Sequence, residues 1–202
     1  MKIICVGRNY SEHAKELGNA VPVNPVIFCK PDTAIIKNKE PFYIPAFSND
    51  VHHEVELVIK INKTGKQIQE KFARSYFNEV GLGIDFTARD VQQQLKEKGL
   101  PWELAKGFDG SACLGNFINL DGLDLNEIKF SLHKNGNPIQ IGKSGDMIFS
   151  FEKIISFVSQ YFTLKVGDLI YTGTPAGVSK VSIGDKLEGF LGDKLMLSCE
   201  VK

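Results

Sequence analysis

The chain has 202 residues, a length that suits one domain and is ample for a sizeable core. Its 24 basic and 24 acidic residues balance, so no cationic excess drives binding to a phosphate backbone, and no run of like charge marks a tail or a membrane-surface patch. The N-terminus lacks the features of a signal peptide, no apolar run is long enough to span a bilayer, and Cys5, Cys29, Cys113 and Cys199 are scattered without a CxxC pair. The expectation is a cytoplasmic protein of a reducing compartment, with no nucleic-acid and no membrane partner.

Ile3–Val6 predicts a short apolar strand broken by Gly7. "SEHAKELGN" reads as a short helix with Ser11 as its N-cap and Gly18-Asn19 as its stop. His13 and Glu16 are three apart on it and share a face. A carboxylate beside an imidazole fixes its tautomer and raises its basicity, as a water-activating base requires, although such pairs also occur on solvated helices. "VPVNPVIFCKP" predicts a proline-fenced strand centred on Val26–Lys30.

In "HHEVELVIK", from His52 to Lys60, Glu54 and Glu56 alternate with His53, Val55, Leu57 and Ile59. Strand side chains alternate faces, so both carboxylates leave the same side. That side is either a solvated face or one that holds a divalent cation between the two glutamates. His52 and His53 could support such a site or simply begin the strand. "VGLGID" is a further strand closed by Asp85, which is either a third ligand or a helix cap. Two glutamates and one aspartate make an all-oxygen set that suits Mg²⁺ or Mn²⁺, tolerates Ca²⁺ and disfavours zinc or copper.

"TARDVQQQLKEKGLP" is the clearest helix, with Thr87 and Asp90 as a capping-box-like start and Val91 and Leu95 on one face. Lys106, in "ELAKGFDGSACLG", is either a group that neutralises an anionic substrate or a surface lysine. His133, in the turn-rich "SLHKNGNP", is expected to be exposed. A second helix fits "FEKIISFVSQYF", with Phe151, Ile155, Val158 and Phe162 at helical spacing. "GDLIYTGTPAGV" is a strand that enters a glycine-rich turn able to present hydroxyl and backbone N–H groups to a carboxylate. Gly-Asp turns precede Lys186-Leu187 and Lys194-Leu195. Nucleotide loops are not supported: "GLGIDF" lacks a third glycine and no GxxxxGK[ST] occurs. Several short strands with few helices predict a strand-dominated α+β fold with a sheet curled into a roll or barrel.

"CVGRNYSEH", "HHEVEL", "GIDFTARDVQ", "LPWELAKGFD", "SGDMIFSF" and "GDLIYTGTPAGV" occur in this order. Together they resemble the fumarylacetoacetate hydrolase family, best in its single-domain acylpyruvate hydrolase and oxaloacetate decarboxylase branch, over nearly the whole chain. The resemblance implies one catalytic domain over 1–202, a β-roll, a homodimer and a Mg²⁺ or Mn²⁺ site. It implies that Glu54, Glu56 and Asp85 bind the metal, that His13 and Glu16 form the water-activating dyad, and that Lys106 is catalytic. Arg8, Gln92 and Thr174 match substrate-binding positions. The implied substrate is a small 2-oxo acid. The implied reaction is hydrolysis of the C–C bond of acylpyruvates, together with decarboxylation of oxaloacetate through a pyruvate enolate. An isomerase or decarboxylase of 2-oxo dicarboxylic acids from aromatic breakdown, and a non-catalytic Ca²⁺-binding β module, stay open as alternatives.

Overall fold

A computed structural model describes residues 1–16, 18 and 21–202, the side chain of Ala14 excepted. The first half of the chain forms β1 (Ile3–Gly7), α1 (Ser11–Glu16), β2 (Val26–Lys30), β3 (Ile35–Lys37), β4 (Val51–His53), β5 (Val55–Ile61), α2 (Glu70–Ala73) and β6 (Phe77–Asp85). Next come β7 (Thr87–Ala88), α3 (Arg89–Glu97), α4 (Glu103–Lys106), β8 (Ala112–Asn119), β9 (Lys129–Lys134) and β10 (Asn137–Lys143). α5 (Phe151–Tyr161), β11 (Leu169–Tyr171), β12 (Ser179–Lys180), β13 (Lys186–Leu191) and β14 (Lys194–Glu200) complete the order. The fold is strand-dominated α+β, as its short strands predict.

Seven strands make the largest sheet, in the order β2-β1-β11-β5-β6-β8-β3, parallel at β1/β11 and β3/β8 and antiparallel elsewhere. A second sheet, β10-β9-β13-β14, packs against its β5, β6 and β8, and the main core fills the space between with Leu57, Ile59, Leu82, Phe130, Leu187 and Leu197. The opposite face of the large sheet buries Ile3, Cys5, Val58 and Tyr171, with Trp102 packed on them. Both faces of β5 and β6 are therefore covered where they pair, and residues 55–59 and 80–85 are buried throughout. Gly83 is required here: a Cβ on it would lie 2.3 Å from the ring of Tyr171, which crosses β6 to donate to the carbonyl of Cys113 at 3.0 Å. That crossing accounts for a glycine in "GLGID" that serves no nucleotide.

A third sheet, β12-β4-β7, is small but decides the site. The sequence predicts one strand through Glu54; the structure breaks it there. β4 pairs with β7 and β12, β5 pairs with β6 and β11, and Glu54 forms the corner between them. The matching corner lies at Phe86, between β6 and β7, and the N–H of Asp85 donates to the carbonyl of Glu54 at 2.8 Å. Thr87 is thereby drawn into strand pairing with His52 instead of capping a helix. α3 starts at Arg89 without a side-chain cap, and Asp90 instead accepts from Ser48 Oγ at 2.6 Å and from the N–H of Asn49 at 2.9 Å.

α5 forms where its periodicity predicts, with Ser150 Oγ accepting from the N–H of Lys153 at 3.2 Å as N-cap. α1 also forms. Gly18 takes a left-handed φ of 64° as expected of a helix stop, while Asn19 lies outside the described residues. His133 is half-buried on β9, its ring 4.7 Å from that of Phe190, rather than exposed in a turn. The turn itself is Asn135-Gly136, both with positive φ, which suits a tight hairpin. No helix of the described residues is long and apolar enough to cross a membrane.

Candidate active site

The two corners bring Glu54, Glu56 and Asp85 together, with one oxygen of each within 4.8 Å of the others. All three are buried, Glu56 at 2% exposure, so the shared side of Glu54 and Glu56 is not a solvated face. Like charges this close in a dry site need compensation. Lys106 Nζ donates to Glu54 Oε2 and to Asp85 Oδ2, each at 2.7 Å. Arg89 Nη2 donates to Glu54 Oε1 at 2.5 Å, and Lys30 Nζ stands 2.7 Å from Asp85 Oδ1. Lys106 is buried at the end of the single-turn α4, which settles its two readings against a surface lysine.

The three carboxylates respond differently. Burial alone would raise the pKa of Glu54, but the charges of Lys106, Arg89 and His13 outweigh it and hold the carboxyl well below its usual range. Glu56 is pushed well above that range by burial and by its neighbours Asp85 and Glu54, with Lys106 and one N–H, from Gly173 at 2.7 Å, opposing the shift. Burial would lower Lys106, but Asp85 and Glu54 raise it, so it stays cationic.

The donor set fits a divalent cation. The ligands are all oxygen, and their spacing is that of atoms sharing one coordination shell. The protons of Lys30 go to the carbonyls of Lys106 and Ser111 and to Ser111 Oγ, the last two at 3.0 and 3.1 Å. Asp85 Oδ1, fully buried, accepts no aligned hydrogen bond and is balanced only by the nearby charge of Lys30. A buried carboxylate oxygen compensated by charge alone, beside a glutamate destabilised by like charge, leaves room for a cation in the cluster.

His13 is buried, and its Nδ1 lies 3.2 Å from Glu16 Oε2. Glu16 is itself held by the N–H of Gly177, at 3.2 Å to Oε1. The "TGTPAG" turn thus does present N–H groups to carboxylates, but to two of the protein's own: Gly173 to Glu56 and Gly177 to Glu16. Gly173 can do so because at φ 102° it approaches Asn9 where a Cβ would meet Asn9 Cβ at 2.6 Å. Gln92 is buried on α3, and its Oε1 accepts from Arg89 at 2.7 Å, so its NH₂ stays available. Arg8, Gln92 and Thr174 line the same narrow cleft as His13 and the three carboxylates, with about 30 Å³ open to the centres of water molecules.

His52 and His53 are not in this cluster. His52 pairs with Asp50 at 3.1 Å, and His53 is bonded to Gln140 and Ser179. Sequence reasoning assigned no role to Lys30 or Arg89. Lys30 ends an otherwise apolar strand, and a lysine there would ordinarily be solvent-directed; its burial depends on Ser111 and Asp85, far away in sequence. Arg89 offered a signal, since it lies three residues before Gln92 on one helical face.

The pattern describing the fumarylacetoacetate (FAA) hydrolase C-terminal domain matches residues 2–201. The chain belongs to the fumarylacetoacetate hydrolase family. Among relatives within or around this family, the chain is 44% identical over 188 residues to the oxaloacetate tautomerase YcgM of Escherichia coli (strain K12), covering 92% of this chain and 86% of that protein. It is 42% identical over 189 residues to a mitochondrial oxaloacetate decarboxylase of Dictyostelium discoideum, covering 93% and 87%. The solved fumarylpyruvate hydrolase of Pseudomonas aeruginosa, in complex with Mn²⁺ and pyruvate, superposes with a TM-score of 0.94 at 33% identity, covering all of this chain and 89% of that one. A fumarylacetoacetate hydrolase fold and an enzymatic role follow for this chain.

Proposed function

We propose that residues 1–202 form one catalytic domain that acts on oxaloacetate-type 2-oxo acids and that its principal reaction is interconversion of their enol and keto forms. The observation that carries the reading is the buried trio Glu54, Glu56 and Asp85 with Lys106 bonded across it. The oxaloacetate tautomerase and decarboxylase among the relatives support the choice of substrate. Glu54, Glu56 and Asp85 would hold Mg²⁺ or Mn²⁺. When bound, the cation would polarise the keto and carboxylate oxygens of a 2-oxo acid. Ca²⁺ would substitute structurally.

The remaining groups act through the bonds they already make. Lys106 adds a fixed positive charge where an enolate oxygen develops, in a dry site where it counts most. Gln92, its carbonyl already used by Arg89, offers N–H to the substrate carboxylate. Glu16 accepts from His13 Nδ1, which leaves Nε2 as the lone-pair nitrogen able to take the proton from one position of the enol–keto pair and return one to the other. Glu16 then stabilises the transient imidazolium.

Hydrolysis of acylpyruvates is a second reading, favoured by the same His13–Glu16 dyad, which is placed to deprotonate a water. The expected homodimer is carried by the family resemblance and is measurable by light scattering.

The deciding experiment follows the enol absorbance of oxaloacetate with Mg²⁺-loaded protein, alongside acetylpyruvate. Enol loss far above the solvent rate, abolished by chelator, is expected. Solvent-rate enol loss with rapid acetylpyruvate cleavage would transfer the assignment to hydrolysis, and inertness toward both would end it.

A further inference from the structure

Arg89, Gln92 and Lys96 stand at positions i, i+3 and i+7 of α3 and therefore share one helical face. Arg89 and Gln92 are already bonded into the site. Lys96 lines the same cleft, half-buried, with its ammonium 5.6 Å from the centroid of the Trp102 ring. The guanidinium carbon of Arg8 lies 5.9 Å from the same centroid. Two cations thus share one ring at the wall of the cleft.

Neither has an anionic partner among the described residues. Lys30, Lys106 and Arg89 are already engaged by Asp85 and Glu54, which leaves Arg8 and Lys96 as the cations of the cleft without an ion pair among the described residues. Burial, followed by the charges of Arg89 and Arg8, holds the pKa of Lys96 below its ordinary value, so the arrangement is unfavourable to the lysine as it stands. Arg8 also holds a φ of 61°, a left-handed conformation that non-glycine residues seldom adopt and that is found where surrounding structure and function impose it. A solvated lysine would have neither the ring beneath it nor the like charges around it. What would relieve both cations is an anion entering the cleft beyond the chelating end of the substrate.

We propose that Lys96, seated with Arg8 on Trp102, binds the distal carboxylate of a dicarboxylic 2-oxo acid and makes the enzyme select dianionic substrates over 2-oxo acids with a neutral tail. This rests on the reading of the site as one for 2-oxo acids. It assigns recognition to α3 and Trp102, and leaves the chemistry to the carboxylate end.

The molecule supplies its own probe, because Trp102 is the only tryptophan. Fluorescence titration of the Mg²⁺-loaded protein compares two ligands that cannot tautomerise: oxalate, which chelates but has no tail, and 3,3-difluorooxaloacetate, which chelates and carries the distal carboxylate but has no proton at C3, its integrity during the titration followed by ¹⁹F NMR. Lys96→Met should weaken difluorooxaloacetate by about 10- to 100-fold, the usual worth of a charged hydrogen bond, and shift oxalate by no more than about threefold. Lys96→Arg should restore most of the loss. Equal weakening of both ligands, or of neither, overturns the proposal while wild-type binding of oxalate still supports a 2-oxo acid site. Failure of the wild type to bind either ligand overturns both.

Discussion

Gln140 donates from Nε2 to the hydroxyl oxygen of Thr174 over 2.8 Å. The orientation of this amide is fixed by two backbone groups: the N–H of Val55 donates to Oε1 at 3.1 Å, and Nε2 donates to the carbonyl of Pro175 at 2.9 Å. With its oxygen accepting from Gln140, the hydroxyl of Thr174 keeps its proton for an acceptor in the cleft. The same geometry sets His53. Its Nδ1, 2.9 Å from Gln140 Oε1, carries the proton, and its Nε2 accepts from Ser179 Oγ at 2.8 Å. A neutral imidazole outside the cluster thus orients a hydroxyl inside it.

Gln140→Leu should show this in two measurements. It strips partners from His53, Val55 and Pro175, so urea unfolding should report a loss of about 2–4 kcal/mol. The kinetic loss should equal that of Thr174→Val, and the double variant should lose no more than either alone. Additive kinetic losses would mean that Gln140 does not act through Thr174.

His53 gives a pH signature. Burial, opposed by its bond to Gln140, lowers its pKa from 6.5 to about 4. In the unfolded chain it takes a proton near 6.5, in the fold only near 4, so between those values the unfolded state binds more protons. Stability is therefore present above about 6.5 and is lost as pH falls toward 4, by about 3 kcal/mol in all. Unfolding free energies at pH 7, 5.5 and 4.5 should show this slope in the wild type and a shallower one in His53→Gln.

Glu56 and Asp85 should separate stability from ion binding. Glu56 is destabilised by its like-charged neighbours, so Glu56→Gln should match or exceed the wild type in melting temperature without metal. It should also lose the stabilisation that Mn²⁺ confers on the wild type, which is about 2.7 kcal/mol at a hundredfold excess over Kd. Asp85→Asn removes the charge that Lys30 and Lys106 share and should cost about 3–5 kcal/mol before any metal is added. Calorimetric melting with and without Mn²⁺ distinguishes the two; similar apo melting temperatures would contradict the charge pairing described here.

His13→Ala should slow tautomerisation and acylpyruvate hydrolysis by about 10²–10⁴-fold, because both move a proton at the reacting carbon or water. Loss of CO₂ from oxaloacetate breaks its bond without such a transfer and should suffer less. Parallel rates on one preparation test it. Unchanged hydrolysis in the variant would remove the dyad from the mechanism.

Local pattern determined more of this molecule than its length suggests. The alternation through "EVE", Asp85 at a strand end, the three-residue spacing of His13 and Glu16, the α5 periodicity and the Gly-Asp turns all follow from side-chain direction over a few residues. Those rules say which residues share a face. They do not say what the face meets. Whether Glu54 and Glu56 faced water or a site was decided by the break at Glu54, which sends β4 and β5 into different sheets and sets Asp85 beside them. Lys30 was invisible as a site residue because its partners lie about 55 to 81 positions away, at Asp85 and Ser111. Gln140 was invisible for the same reason, reaching Val55 across 85 positions. Buried charge and amide groups are placed by the demand that every polar group in a dry interior find a partner, and that demand is met only once the sheets have closed.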